Sequence, residues 1–411
     1  MRQFIKSRSV WVEGTHLRYN AVLCIENGIV ADILSEHQIN LDASVVPVLE
    51  EEILLPGFIN SHAHIEYSFC RGKLPRGPVS FAQWIEAIGE LKRNATQTDV
   101  VEAAREAMRE LAAGGATTVI DCAHRREMTA LWGESRLRHV ILWELIALFD
   151  EQADAVWKNV ELQLNAPRVP HCIAVGLNPH APYSVGARLR EHLRAHAAAH
   201  PDTPIGWHLA ETDEEMRFFQ TGLGPFRDFC TRHQLPTAFD EMPACSPTAF
   251  LAREGLLESA DLLFHFNHFS REDVNLLSRH QTIVYCPTTH RYFARPSFDL
   301  YTLHRAGVPV ALGTDSLATS DTLSMLDTLR MASENFPSLT GSQLLAMVTT
   351  IPARSTFLRS VKPPIGTIAR GAAADFTALA TDLPLDCDLR EILIHPSTKV
   401  MATYVGGVKV Y

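Results

Sequence analysis

None of the eight cysteines forms a CxxC pair. Cys24, Cys70, Cys122, Cys172, Cys230, Cys245, Cys286 and Cys387 are scattered along the chain, a pattern unlike a zinc ribbon or the disulfide framework of a small secreted domain. Long apolar runs are missing as well. Met1 to Gly14 lacks the apolar core of a signal peptide, and no run approaches the length needed to cross a bilayer. A cytoplasmic protein with no membrane partner is the expectation. Positive charge is scarce too: 37 Lys and Arg stand against 47 Asp and Glu, a formal charge of -10. No dense basic cluster offsets this balance, so nucleic acid is not an expected partner.

What the chain does have is enough apolar material for a large core, with 411 residues of which 46% are hydrophobic and 20% charged. Residues 1–55 carry short apolar runs (Ser9 to Val12, Asn20 to Ile25, Ile29 to Ile33) separated by Gly, Asn and Asp, the texture of short antiparallel strands. The same texture returns at Ala374 to Leu379 and Val400 to Val410, so 1–55 and 360–411 are expected to form one discontinuous β-sandwich domain. Between them, 56–359 alternates apolar runs with helical periods, as repeated βα units do. Eight candidate strands appear: Leu54 to Ile59, Thr117 to Asp121, Val140 to Leu148, Ile173 to Leu177, Ile205 to Leu209, Leu262 to Phe266, Thr282 to Tyr285 and Val308 to Leu312. Helices are expected over Thr98 to Ala113 and Asp321 to Ser333. The fold class is therefore α/β, a (β/α)8 TIM barrel whose chemistry lies at the C-terminal strand ends.

The most informative stretch is Ser61-His62-Ala63-His64, directly after the first candidate strand. Imidazoles at i and i+2 of an extended chain point the same way and can share one cation. Among 19 histidines a lone HxH can also arise by chance, so the reading depends on further ligands. They are present at later strand ends: His208 in the fifth, His265 closing the sixth, Asp315 just past the eighth. Imidazole nitrogens with a carboxylate oxygen suit Zn²⁺ or Fe²⁺.

Together PGFINSHAH (56–64), NPHAPYS (178–184), WHLAET (207–212), FHFNHFS (264–270), LGTDS (312–316) and IGTIARGAAADF (365–376) give the chain a resemblance to the amidohydrolase superfamily. The narrower likeness is to its mononuclear deaminase and chlorohydrolase branch, and within that to deaminases of S-adenosylhomocysteine, methylthioadenosine or aminodeoxyfutalosine. The resemblance implies that His62, His64, His208 and Asp315 hold one divalent metal, expected to be Zn, with Fe as the other candidate. It implies that Glu211 carries protons between the attacking water and the leaving amine, and that His265, with His268 as fallback, lies beside that water. Members with two metals use a lysine at strand four, and His171 to His180 has none. The residues agree with these roles: three neutral imidazoles and one carboxylate leave the cation net positive, which acidifies a bound water. Glu211, three residues past His208, is within reach of that water, and Asp315 can accept its proton.

Other histidines mislead. His192, His196 and His200 have helical spacing but no strand end, and read as a solvated helix face. His124 either lines the pocket or is a polar loop residue, and Cys286 reads as a packed thiol. The reaction expected is hydrolytic deamination of an aminated heterocycle, a small molecule of adenosine-like nucleoside type. The resemblance implies His180 as the sugar contact, and makes Glu66, Trp84, Glu144, His290 and Arg291 further candidate substrate contacts. The alternatives are a guanine, cytosine or aminotriazine deaminase, a chlorohydrolase, or an inert barrel acting as a scaffold. A homo-oligomer is expected.

Overall fold

The computed structural model describes residues 2–14, 16–38, 48–239, 241–354, 357–384 and 386–411. Met1, Thr15 and residues 39–47 of the expected N-terminal β segment lie outside the described residues. The chain opens with β1 (Arg2–Val12), β2 (His16–Glu26), β3 (Ile29–Ser35) and β4 (Val48–Pro56). β1 pairs antiparallel with β2, and β2 with β3, while β4 runs parallel to β1. The first three are longer than their apolar runs suggest. Exposed and half-buried polar residues such as Arg2, Lys6 and Arg18 continue the ladder on its wet face, which a count of apolar residues alone does not register.

The expected strand Leu54 to Ile59 is two strands in two sheets. Pro56 ends β4, and Phe58 opens β5 (Phe58–Ala63) beside Ala116. Gly57 makes the crossing, and a Cβ there would lie 2.3 Å from Thr117 Cγ2, so the approach is open only to glycine.

β5 is followed by β6 (Ala116–Ala123), β7 (Arg138–Leu145) and β8 (Cys172–Pro179), then by β9 (Gly206–Leu209), β10 (Leu262–His265), β11 (Thr282–Tyr285) and β12 (Val310–Leu312). These eight form two four-stranded sheets, β5-β6-β7-β8 and β9-β10-β11-β12, with every neighbouring pair parallel. Single parallel bridges, Leu177 to Ile205 and Ala63 to Asp315, join the two sheets at both edges. β5 and β6 are buried along their whole length, as parallel strands covered on both faces must be. Helices lie between the strands, so the architecture is α/β. The helix expected from Thr98 runs Gln97–Ala113 and is capped by Thr96 in a capping box with Asp99. The one expected from Asp321 runs Met325–Asn335 and starts at the Ser324 cap.

β13 (Phe376–Ala380), β14 (Lys399–Val405) and β15 (Val408–Lys409) complete the terminal sheet. Its order is β15-β14-β13-β4-β1-β2-β3, with β13 antiparallel to β4. The chain ends thus meet in one seven-stranded mixed sheet. Ile5, Val10, Leu23, Leu54, Phe376 and Tyr404 build its core. Arg138 on β7 donates from Nε to Asp375 Oδ2 at 2.6 Å, tying the terminal sheet to the parallel one. The short helix Leu389–Ile394, although within 360–411, buries Leu389, Ile392 and Leu393 in the larger core around the parallel sheets.

Candidate active site

His62 lies at the buried end of β5 and His64 directly follows it (0% and 6% exposed). His208 lies on β9, His265 ends β10, and Asp315 follows β12. All of them sit at the C-terminal ends of parallel strands. The backbone there is bent for the purpose: Ala210, His265, Phe266 and Asp315 all have positive φ, between 48° and 69°. Non-glycine residues adopt this region at a cost of order 1–3 kcal/mol each, and such strain clusters at functional sites. Gly313 lets the end of β12 approach β5, since a Cβ there would lie 2.8 Å from the Cβ of His62.

His64 Nε2 and His208 Nε2 are 3.1 Å apart, and His62 Nε2 is 3.8 Å from Asp315 Oδ1. One nitrogen each of His62, His208 and His265 falls within a 4.8 Å group. Donors on a tetrahedral zinc with 2.0–2.1 Å bonds are separated by about 3.3 Å, so these residues fit a single cation. His62 Nε2 is moreover buried without a hydrogen-bond partner, which is costly unless something else satisfies it. His208 Nδ1 donates to the carbonyl of His180 at 2.8 Å, leaving the Nε2 lone pair free to bind. Thr289 and Thr319 hydroxyls donate to Asp315 Oδ2 at 2.9 and 3.0 Å, which leaves Oδ1 toward the histidines.

Burial pushes the His62 imidazole far down, helped by its imidazole neighbours, and brings His64 and His265 to about 3 against the opposing pull of Glu144 and Glu211 respectively. Neutral rings are the form a cation needs. Burial, with the charge of Glu211, lifts Asp315 to about 6. Burial would lift Glu211 as well, but His265 and Arg295 outweigh it and hold that carboxyl at about 2.

Glu211 Oε2 is 3.8 Å from His265 Nε2, and Glu211 Oε1 accepts from Arg295 at 2.8 Å. Arg295 is buried over the Phe293 ring and was not singled out by sequence. Glu215 was missed as well: its carboxylate accepts the backbone N–H groups of Ala210 and Glu211, fixing the turn that presents Glu211. Burial raises Glu215 to about 8. An acidic residue four positions beyond a proposed catalytic glutamate was the available signal.

A cavity of about 320 Å³ opens onto His64, His208, Glu211, His265 and Asp315, and is also lined by Trp84, Glu144 and His180. Of the other expected contacts, Glu66, His290 and Arg291 are not among the residues lining this cavity. Glu66 accepts the N–H groups of His124 and Arg125 and so anchors the loop after β6. His290 donates to the Pro296 carbonyl, and Arg291 faces solvent, 3.7 Å from Glu334. His268 lies away from this cavity, on a second one beside Arg295. The His124 side chain is exposed. His192 pairs with Asp154 on the outside of its helix, and Cys286 is a buried free thiol.

The chain is thus an α/β protein with histidines and a carboxylate gathered at parallel strand ends, a donor set able to hold a metal ion. The sequence pattern of the amidohydrolase family matches residues 53–410, and the chain belongs to that family. An aminodeoxyfutalosine deaminase of Deinococcus radiodurans is 27% identical over 70% of this chain and 69% of its own length. A 5-methylthioadenosine/S-adenosylhomocysteine deaminase of Pyrococcus furiosus is 26% identical, with 86% and 81% covered. Among solved structures, the Helicobacter pylori aminofutalosine deaminase in complex with methylthio-coformycin superposes with a TM-score of 0.79 at 21% identity, covering all of both chains. A zinc-bound adenosine deaminase from Xanthomonas campestris gives 0.79 at 21% identity, covering 99% and 92%.

Proposed function

We propose that this chain is a metal-dependent hydrolytic deaminase that releases ammonia from an adenosine-like nucleoside derivative. The observation that carries the reading is the closeness of four side chains at one end of the parallel strands, His64 Nε2 3.1 Å from His208 Nε2 and His62 Nε2 3.8 Å from Asp315 Oδ1, with Glu211 and His265 on the same cavity. These four residues would hold one divalent cation, Zn²⁺ in first place. When bound, it supplies a Lewis acid and lowers the pKa of water.

The rest belongs to the chain's own residues. Glu211 takes the proton of the attacking water on a carboxylate oxygen and passes it to the ring nitrogen beside the amine-bearing carbon. A C–O bond forms at that carbon. Glu211 then takes the remaining proton from the added hydroxyl and delivers it to the amine nitrogen, and as the oxygen forms a carbonyl the C–N bond breaks to release ammonia. His265 donates a hydrogen bond to the oxygen that develops charge during addition, and Asp315 is held in place by the Thr289 and Thr319 hydroxyls. His180 and Glu144 on the cavity wall contact the sugar, and Trp84 packs against the substrate.

The same reading closes the eight parallel strands into a (β/α)8 barrel over 56–359, and folds the terminal sheet of 1–55 and 360–411 over its own core as a small sandwich. It places the enzyme in the cytoplasm as a homo-oligomer. The test is an ammonia-release screen across adenosine, methylthioadenosine, S-adenosylhomocysteine, aminodeoxyfutalosine, guanine, cytosine and aminotriazines. Turnover confined to the purine nucleosides is expected. Turnover confined to free bases or triazines would replace the substrate class, and no release from any of them would leave the scaffold reading.

A further inference from the structure

The cavity wall changes character along its length. Its inner end is polar and comes from strand ends. Its outer part comes from three helices, Phe81–Asn94, Asp213–Thr221 and Pro225–Arg232, and is made of aromatic and aliphatic side chains. The two parts are linked by a continuous row of rings. His180 lies 5.0 Å from His208 between centroids, Tyr183 lies 5.8 Å from His180, and Phe226 lies 4.4 Å from Tyr183. Phe218 and Phe81 continue it at 6.0 and 6.3 Å, and Trp84 stacks on Phe81 at 5.6 Å.

The charged lining residues are Glu144, Glu211 and Asp315 from the strand ends and Lys92 from the last turn of Phe81–Asn94. Lys92 is the sole Lys or Arg among the lining residues. Its Nζ donates to the Tyr67 hydroxyl at 2.8 Å and sits 4.6 Å from that ring's centroid, while Tyr67 in turn donates to Glu144 at 3.3 Å. The lysine charge is thus balanced on the histidine side of the cavity. A charged group buried among the outer rings would lose its hydration and meet no charged lining side chain there, since Arg295, 5.8 Å from the Phe81 centroid, is not among the lining residues and is already paired with Glu211.

We propose that the outer, ring-lined part of the cavity is a specificity subsite for an uncharged, apolar 5′ substituent, and that it disfavours a zwitterionic amino-acid tail. The assignment rests on the nucleoside-deaminase reading, with the sugar at His180. A heterocycle at the strand ends and a sugar beside His180 direct the 5′ position along the row from Tyr183 to Phe226. A thioether chain there replaces water against aromatic surface.

The test compares kcat/KM of the wild-type protein for 5′-methylthioadenosine, its 5′-hexylthio analogue and S-adenosylhomocysteine. The hexylthio chain approximates the length of the homocysteine tail without its charges. Both thioethers are expected to exceed S-adenosylhomocysteine at least 100-fold. S-adenosylhomocysteine equal to either thioether overturns the assignment, as does a hexylthio analogue as poor as S-adenosylhomocysteine, which would show that length decides. Leu235→Arg, at a half-buried lining position, is expected to narrow the gap at least tenfold, and an unchanged gap in the folded variant counts against the subsite. If no nucleoside releases ammonia, the deaminase reading fails separately. Calorimetric titration of the same three compounds then judges the subsite: tighter thioether binding supports it, and equal, weaker or absent binding overturns it.

Discussion

His208 cannot turn its Nε2 away from the histidine cluster without breaking the hydrogen bond from Nδ1 to the His180 carbonyl. Asp315 is held in the same manner by two threonine hydroxyls. Glu211, in contrast, contacts Arg295 and His265, and its proposed work is proton transfer. Glu211→Gln should therefore keep a full equivalent of metal by elemental analysis while kcat drops by about 10²–10⁴. Asp315→Asn should lose metal and turnover together. Arg295→Met leaves Glu211 buried without its guanidinium partner, and a lower urea midpoint, corresponding to about 3–5 kcal/mol, is expected. The ligand candidates were legible because short local patterns carry them, HxH and HxAE, each within one strand and its exit. Arg295 and Glu66 show the limit. Nothing in the spacing of Arg295 announces that its loop returns to Glu211, and nothing near Glu66 announces that its carboxylate is consumed by two backbone N–H groups.

Among the secondary structure elements, those with complete local signals were read best. Gln97–Ala113 has its apolar period and a Thr/Asp start, although the cap is Thr96 rather than Thr98. Thr96→Ala removes the acceptor for the Asp99 N–H, and a loss of about 1 kcal/mol in chemical denaturation is expected. β11 matches its apolar run, Thr282 to Tyr285, residue for residue. The apolar run Leu54 to Ile59 did not reveal its division, because the break at Gly57 is imposed by Thr117 from another strand. Nor did the apolar runs near the N-terminus give the full lengths of β1 and β2, whose solvent faces carry Arg and Lys. Positive φ at His265 and Asp315 was not legible either: histidine and aspartate adopt it more readily than most non-glycine residues, but too seldom for one residue to announce it.

Over the whole molecule, the alternation of apolar runs and helical periods was enough to give eight parallel strands, and the likeness of the two chain ends was enough to bring them together. Their union in one sheet through β4 and β13, and the Arg138 to Asp375 ion pair that holds this sheet against β7, depend on contacts between residues hundreds of positions apart. The parallel topology matters because it brings the proposed ligands, from the ends of β5, β9 and β12, to the same end of the strands. Chelated wild-type protein titrated with Zn²⁺, with ammonia release from methylthioadenosine as the readout, tests that convergence most directly. Activity should be absent at the start, rise linearly and saturate at one equivalent. Full activity in the metal-free protein, or saturation only at two equivalents, would contradict a single cation held by His62, His64, His208 and Asp315.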